Sequence, residues 1–185
     1  SGIAEGIPFD IDGTLALDRW PVIRADIGLG TGGAGSLRVA GEFLADSIDC
    51  RVDADSLDLS LARPFSGPVS ELRGRLDAGV DVSGPPGRLS IRGGLKGVGM
   101  GAFIERASVP IEEGVADISF EGSRVVIDSL RATVGGGSLA LSGSLSIGAG
   151  GPGEFDLICR GGSISLEKED LYSLEVEEID LGLKT

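Results

Sequence analysis

The stretch GGGSLALSGSLSIG, residues 135–148, places Leu139, Leu141, Gly143, Leu145 and Ile147 at every second position, with Ser or Ala between most of them. Successive side chains of a strand point to opposite faces, so this spacing predicts a β-strand with one apolar face. The same period-two pattern returns in almost every segment from Ile7 to Leu183. No stretch of helical length carries apolar residues at three-and-four spacing. The question of function becomes what one continuous apolar face is for.

At 185 residues the chain has the length of one domain, and 41% apolar residues are enough to bury a core. Aromatics, however, are only 4%, and 32 residues are Gly. Leu, Ile and Val supply the bulk, so an interior is lined by thin side chains rather than filled by large rings. A net charge of -13 excludes a phosphate-binding surface of clustered Lys and Arg and does not suit an anionic membrane. Asp10, Asp12, Asp77, Asp81, Asp117 and Asp128 each sit beside an apolar position, which places them on the solvated outer face of strands.

Cys50 falls in register with Ile48 and Val52, and Cys159 with Phe155 and Leu157, so both read as small apolar residues on the buried face. The sequence leaves a disulfide between them open. There is no His and no metal-type cluster. No apolar run is long enough to span a bilayer, and no signal peptide is visible. Ser1-Gly2 has the form of a cloning remnant, and residues 1–185 read as a single β segment of a longer protein.

In order, the predicted strands run Ile7–Leu17, broken at Trp20-Pro21; Val22–Leu29; Leu37–Phe43 after the glycine cluster Gly28–Gly35; and Ile48–Val52 leading through Leu57, Leu59 and Leu61 to a loop at Arg63–Pro68. Leu72–Val82 is the longest strict alternation and ends at Gly84-Pro85-Pro86-Gly87. Leu89–Leu95 precedes a looser stretch through Met100, Phe103 and Ile104. Ala116–Phe120 turns at Glu121-Gly122-Ser123 into Val125–Val134, with a bulge at Asp128-Ser129. Leu139–Ile147, Phe155–Cys159, Ile164–Leu166 and Leu174–Leu183 complete the chain. Inward positions that are Gly or Ala (Gly13, Gly74, Ala78, Gly93, Ala132, Gly143) leave room on the apolar face, and turns about every ten residues mark a meander. The pattern suits a curled open sheet or solenoid, with a closed sandwich as the alternative.

Two motifs suggest an enzyme. Phe9-Asp10-Ile11-Asp12-Gly13-Thr14-Leu15 resembles the first motif of haloacid-dehalogenase-type phosphatases, in which the first Asp is the nucleophile. Lys occurs only at 96, 168 and 184, no Gly-Asp followed by Asp appears downstream, and the alternation runs unbroken through the motif. Gly28-Leu29-Gly30-Thr31-Gly32-Gly33 matches a dinucleotide fingerprint by letter, but Ala34-Gly35-Ser36-Leu37-Arg38-Val39 opens a strand where a helix is needed. Asp170, Glu175, Glu177 and Glu178 lack the spacing of a calcium loop. The chain reads as non-enzymatic, with no cofactor.

Asp53–Phe65 (DADSLDLSLARPF), Leu72–Gly84 (LRGRLDAGVDVSG), Arg88–Gly94 (RLSIRGG) and Gly114–Gly143 follow one another as strand, Asp-Gly-like turn, strand, Gly-Gly-Gly and Leu-x-Leu-x-Gly. This succession resembles the TamB family of AsmA-like periplasmic proteins over Asp53–Leu183, and Val98–Pro110 departs from it. The resemblance implies an all-β fold: an elongated, curled, meandering antiparallel sheet forming a U-shaped groove, or β-taco, with a hydrophobic interior. It implies a lipid-transport segment of a protein anchored in the inner membrane by a segment outside this chain and crossing the periplasm of a diderm bacterium. Its partners are phospholipid acyl chains and an outer-membrane Omp85-type protein, with no nucleic acid. The groove lining it implies is Leu76, Val80, Val82, Leu89, Ile91, Leu95, Ile118, Phe120, Val125, Ile127, Leu130, Val134, Leu139, Leu141, Leu145, Ile147, Phe155, Leu157 and Leu166. The alternatives are a scaffold for outer-membrane protein assembly and a passive structural solenoid.

Overall fold

A computed structural model describes the chain at all positions except 1, 5, 6, 20, 21, 31–34, 66, 68, 106, 107, 149, 150, 169–171 and 185, and leaves aside the side chains of 2–4, 7–9, 18, 19, 64, 65, 148, 151, 152, 166–168 and 172–174. The described residues form strands β1 (Gly2–Ala4), β2 (Ile7–Arg19), β3 (Val22–Gly30), β4 (Ser36–Phe43), β5 (Ile48–Asp58), β6 (Val69–Gly84), β7 (Ser90–Ile104), β8 (Val109–Gly122), β9 (Arg124–Val134), β10 (Gly137–Gly148), β11 (Gly151–Lys168) and β12 (Tyr172–Lys184). A 3-10 helix, η1 (Leu59–Phe65), joins β5 to β6. Each strand pairs antiparallel with its sequence neighbours. The short β1 lies against the start of β2, and β2 to β12 make one sheet of eleven strands that does not close. An open meander of this kind is consistent with a curled sheet.

The turns follow from local chemistry. Between β9 and β10, Gly135 and Gly136 have φ of 53° and 79°, and Val134 pairs with Gly137. A two-residue hairpin of the type favoured by strand twist needs both central residues left-handed, which explains the run of glycines there. Between β6 and β7 the Arg88 N–H donates to the Pro85 carbonyl at 2.9 Å, and between β4 and β5 the Leu44 N–H donates to that of Ser47 at 2.8 Å.

Bulges keep the apolar positions in phase. A shift of one residue in pairing would carry every later side chain to the opposite face. On β9 the apolar positions pass from odd (Val125, Ile127) to even (Leu130, Ala132, Val134). There the ladder slips by one residue against both β8 and β10, which establishes the bulge expected at Asp128-Ser129. Comparable irregularities occur on β5 between Ala54 and Leu57, on β6 between Ser70 and Arg75, on β7 between Gly97 and Ala102, and on β8 between Glu112 and Val115. Ser56, Glu71 and Glu113 stand in these bulges with φ of 48°, 54° and 53°, a conformation that side chains rarely adopt. The Ser56 amide is held by the carboxylate of Asp77 across the ladder, at 2.7 Å.

Two expectations are corrected. Leu59 and Leu61 continue the alternation of β5 but lie in η1, where the Asp58 carboxylate accepts the Ser60 N–H at 2.8 Å and turns the chain. The inward glycines do not leave open room. At Gly93 and Gly143, with φ of 128° and 129°, an added Cβ would meet the backbone of the neighbouring strand at Gly79–Val80 and Asp156–Leu157. They mark close backbone approach, not vacant space above the face. The Trp20-Pro21 turn lies outside the described residues, as do residues 31–34 of the glycine cluster.

The accessible surface is 11561 Å², against about 8,300 Å² for a compact monomer of 18.8 kDa. Among the described residues the buried apolar ones are Ala25, Ala54, Val109, Ala116, Ile127 and Ile164, half of them alanine. No Leu or aromatic ring among the described residues reaches that burial, so one layer of sheet stands without a second layer on it.

The glycine geometry leads to a stability test. Gly143→Ala forces both a left-handed φ and a backbone clash and is expected to lower unfolding free energy by about 1–3 kcal/mol. Gly182→Ala meets nothing within 4 Å and is expected to be near neutral. Urea unfolding followed by circular dichroism measures both; equal midpoints would remove the close-approach explanation.

Candidate functional site: a continuous apolar face

Cross-strand partners share a face, so the register traces each row of side chains across the sheet. One row runs Ile11, Leu29, Leu37, Ala54, Ala78, Leu95, Ile118, Ile127, Gly143, Leu157, Leu183. It crosses all strands from β2 to β12 without one polar side chain. The next row runs Gly13, Ile27, Val39, Val52, Val80, Gly93, Phe120, Val125, Leu145, Phe155 and is equally apolar. Leu57, Leu76, Gly97, Ala116, Leu130, Leu141, Cys159 and Leu181 form a third.

Seventeen of the nineteen positions expected to line a groove fall on this face by register and strand parity: Leu76, Val80, Val82, Ile91, Leu95, Ile118, Phe120, Val125, Ile127, Leu130, Val134, Leu139, Leu141, Leu145, Ile147, Phe155 and Leu157. Leu89 precedes β7 in the turn and is exposed, two positions before Ile91. Leu166 pairs with Leu174, and its side chain lies outside the described residues. The expected lining stopped short of the full face. Ile11, Leu15, Ile27 and Leu29 on β2 and β3, and Leu181 and Leu183 on β12, belong to the same face. Their own alternation was the signal. Exposure is greatest toward the ends of the sheet, with Leu15 67% and Leu181 54% exposed against 9% for Ile127 at its middle.

The opposite face is a lattice of charge. In one row, Asp12, Gly28, Arg38, Asp53, Gly79, Gly94, Ser119, Val126, Ser144, Asp156 and Lys184 are successive partners. Arg24 pairs with Glu42 at 2.6 Å, Arg51 with both Asp53 and Asp81 at 2.9 and 3.2 Å, Lys96 with Asp117 at 3.3 Å, and Lys184 with Asp156 at 3.2 Å. Each such exposed pair contributes at most about 1 kcal/mol. Their larger effect is to keep this face wet.

The residues that suggested catalysis have places in this scheme. Asp10 and Asp12 face Gly30 and Gly28 in the β2–β3 ladder, exposed on the charged side. Gly28 and Gly30 end β3, and the next described element is the strand β4. Among the described residues no group of His, Cys, Asp or Glu is arranged to hold a metal ion. Cys50 and Cys159 are free thiols, half-buried on the apolar face opposite Val82 and Leu141. Burial, with a smaller push from Asp49, raises the Cys50 thiol above its ordinary value, so it stays protonated and behaves as a small apolar residue.

Two turns and a strand end bound one end of the face. Arg88 and Leu89 come from the β6–β7 turn, Ser123 from the β8–β9 turn with Arg124 opening β9, and Ile147 from the end of β10. With Ile91, Phe120 and Val125 they enclose an open pocket of about 620 Å³. Nothing in the sequence pattern brings these turns together. Comparison with protein-family models, curated proteins and solved structures finds no significant match to the chain.

The charged face supports a pH prediction. The Arg38 guanidinium bonds both oxygens of Asp26, at 2.6 and 2.9 Å, and holds its carboxyl below the ordinary value against a smaller opposing effect of burial. A depressed carboxylate pKa contributes stability above the unfolded-state value, and that contribution disappears as pH falls through the folded one. Carboxyl NMR titration is expected to place Asp26 below an exposed aspartate, and Arg38→Gln to bring it back. An unmoved midpoint in the variant would show that Arg38 is not the cause.

Proposed function

We propose that the chain is a segment of a non-enzymatic conduit for phospholipid, a U-shaped groove in which the apolar face described above carries acyl chains between the inner and outer membranes of a diderm bacterium. The observation that carries this reading is the uninterrupted apolar row from Ile11 to Leu183 on a sheet with no second layer. Ten inter-strand steps at about 4.8 Å give roughly 48 Å of apolar path. One leaflet of a hydrocarbon core about 30 Å thick is about 15 Å deep, so the face exceeds a single chain about three-fold. That proportion suits passage better than one fixed site.

The energetics support it. Exposing an acyl chain costs about 0.8 kcal/mol per methylene, so a sixteen-carbon chain meets roughly 12 kcal/mol in water. A face of Leu, Ile, Val, Ala and Gly lowers that barrier without offering a polar trap. A charge on the face would impose several kcal/mol and block the path. The charged rows on the opposite side hold that face toward the aqueous periplasm. The resemblance to the TamB family agrees with this reading, and through the full-length protein it brings in inner-membrane anchoring and an Omp85-type partner at the outer membrane.

A second reading has its own observation. Among the described residues, β12 pairs on one side alone and β2 meets only the short β1 on its outer side, so both edges offer unpaired backbone groups. Such edges accept an added strand. A scaffold that holds nascent outer-membrane strands would use them and not the apolar face.

Leu141 and Ser142 separate the readings because they are adjacent and face opposite ways, Leu141 beside Leu130 and Cys159 and Ser142 beside Ile158. A photocrosslinker at Leu141 in the full-length protein in cells is expected to trap lipid, and one at Ser142 is not. Adducts at both positions equally, or at neither, would sink the conduit. Leu141→Asp is expected to abolish complementation with circular dichroism unchanged, whereas Ser142→Asp is tolerated. Tolerance of both would favour a passive spacer, and peptide capture insensitive to Leu141→Asp would favour the edge scaffold.

A further inference from the structure

The charged face holds one cation that its lattice does not neutralise. Among the described residues, every other Lys or Arg side chain on a strand bonds to an Asp or Glu or stands opposite one in a ladder, as Arg24 does with Glu42, Arg75 with Asp58 and Arg92 with Glu121. Arg131 instead faces Val115 on β8 and Ala140 on β10. Ala140 in turn faces Arg160 on β11. Two arginines therefore flank one alanine in a single row, two inter-strand steps or about 10 Å apart.

A depression of about 460 Å³ lies over this row, lined by Arg131, Thr133, Ser138, Ala140 and Arg160, with Glu113 on its β8 side. The β9, β10 and β11 positions alternate with Ala132, Leu139 and Gly161, which are successive partners on the apolar face. The apolar-face side chains around the same place, Leu130, Val134, Leu141 and Cys159, take no part in the lining, so the depression opens on the charged side. Thr133 and Ser138 are direct cross-strand partners, which puts their hydroxyls together beside the arginines. Arg160 meets Asp180 through Nε at 3.6 Å and keeps the four N–H groups of its two Nη atoms.

We propose that this depression binds a tetrahedral oxyanion, a phosphate group held between Arg131 and Arg160 with the hydroxyls of Thr133 and Ser138 as further donors. A carboxylate has one planar pair of oxygens and satisfies a single guanidinium. A phosphate turns oxygens toward two guanidiniums and a hydroxyl at once. One bounded pocket of this kind differs from the extended basic surface that the acidic composition excludes. Glu113 at its side opposes the anion and limits the affinity. The site is on the side of the sheet away from the acyl path and is independent of what the apolar face carries. Inorganic phosphate and a phosphate monoester present the same group and are two sources of one chemistry.

Calorimetric titration of the 185-residue chain with inorganic phosphate, glycerol 3-phosphate and acetate, at fixed ionic strength, tests this. One or both phosphates are expected to bind, and R131Q and R160Q each to weaken that binding about ten-fold, the loss of a charge-assisted hydrogen bond or two. R124Q, whose arginine lies outside the depression, is expected to bind as the parent chain does, and E113Q to bind more tightly. Tighter binding of the inorganic ion or of the ester identifies which source the site takes. Acetate bound as tightly as phosphate overturns the two-arginine clasp. Equal weakening by R124Q assigns the effect to overall charge and overturns the site, as does a parent chain that binds no phosphate. The three arginines are exposed, so circular dichroism is expected to be unchanged by their substitution. Amide NMR of the parent chain needs no variant: phosphate is expected to shift Thr133, Ser138 and Ala140, and shifts confined to other residues overturn the assignment.

Discussion

Phase is the constraint on which the rest of this structure depends. Side chains alternate every residue, and each ladder joins sequence neighbours, so an error of one residue on any strand would put leucines among the aspartates of the next. The bulges on β5 to β9 prevent this. Each occurs where the apolar positions change parity, and three of them carry a non-glycine residue in the left-handed region. That conformation costs of the order of 1–3 kcal/mol apiece. It persists because without it half a strand would present the wrong face.

Keeping phase through eleven strands yields two surfaces of opposite character and almost no interior. Domains ordinarily bury an apolar sheet face under a second layer. Here the residues suited to that layer are missing: aromatics are 4% of the chain, and the described residues contain one sheet and one seven-residue 3-10 helix. Cohesion therefore comes from backbone ladders and from contacts between neighbours within a row, such as Ile118 against Leu95 and Ile127. Open edges and an uncovered apolar face are liabilities in an isolated domain. In a longer assembly the same features are what strand pairing and acyl chains need.

The sequence disclosed the strands because period two is a direct image of the pleat, and it disclosed the Asp128-Ser129 bulge because Ile127 and Leu130 are three apart where two was due. Leu59 and Leu61 misled for the same reason: alternation is blind to a turn made by the Asp58 carboxylate on the Ser60 N–H. Glycines at inward positions were read as missing volume, which one strand viewed alone suggests; the distances at Gly93 and Gly143 belong to the neighbouring strand. The pocket between Arg88, Arg124 and Ile147 was illegible because it is assembled by segments separated by 36 and 23 positions, and no local pattern encodes their meeting.

The register also gives a physical reason for mixing glycine with large aliphatics along a row. Phe120, one of two phenylalanines in its row, has Gly93 on one side and Val125 on the other; Gly143 lies between Ile127 and Leu157. At these two places bulk on one strand stands beside a glycine on the next. For a sealed core such pairing is one packing solution among many. For a face that carries chains past many positions it has a further consequence. The binding free energy at each step follows the apolar area in contact, at about 25 cal/mol per Å². On the acyl-carrying reading, glycine beside a large side chain reduces the difference in that area between successive steps.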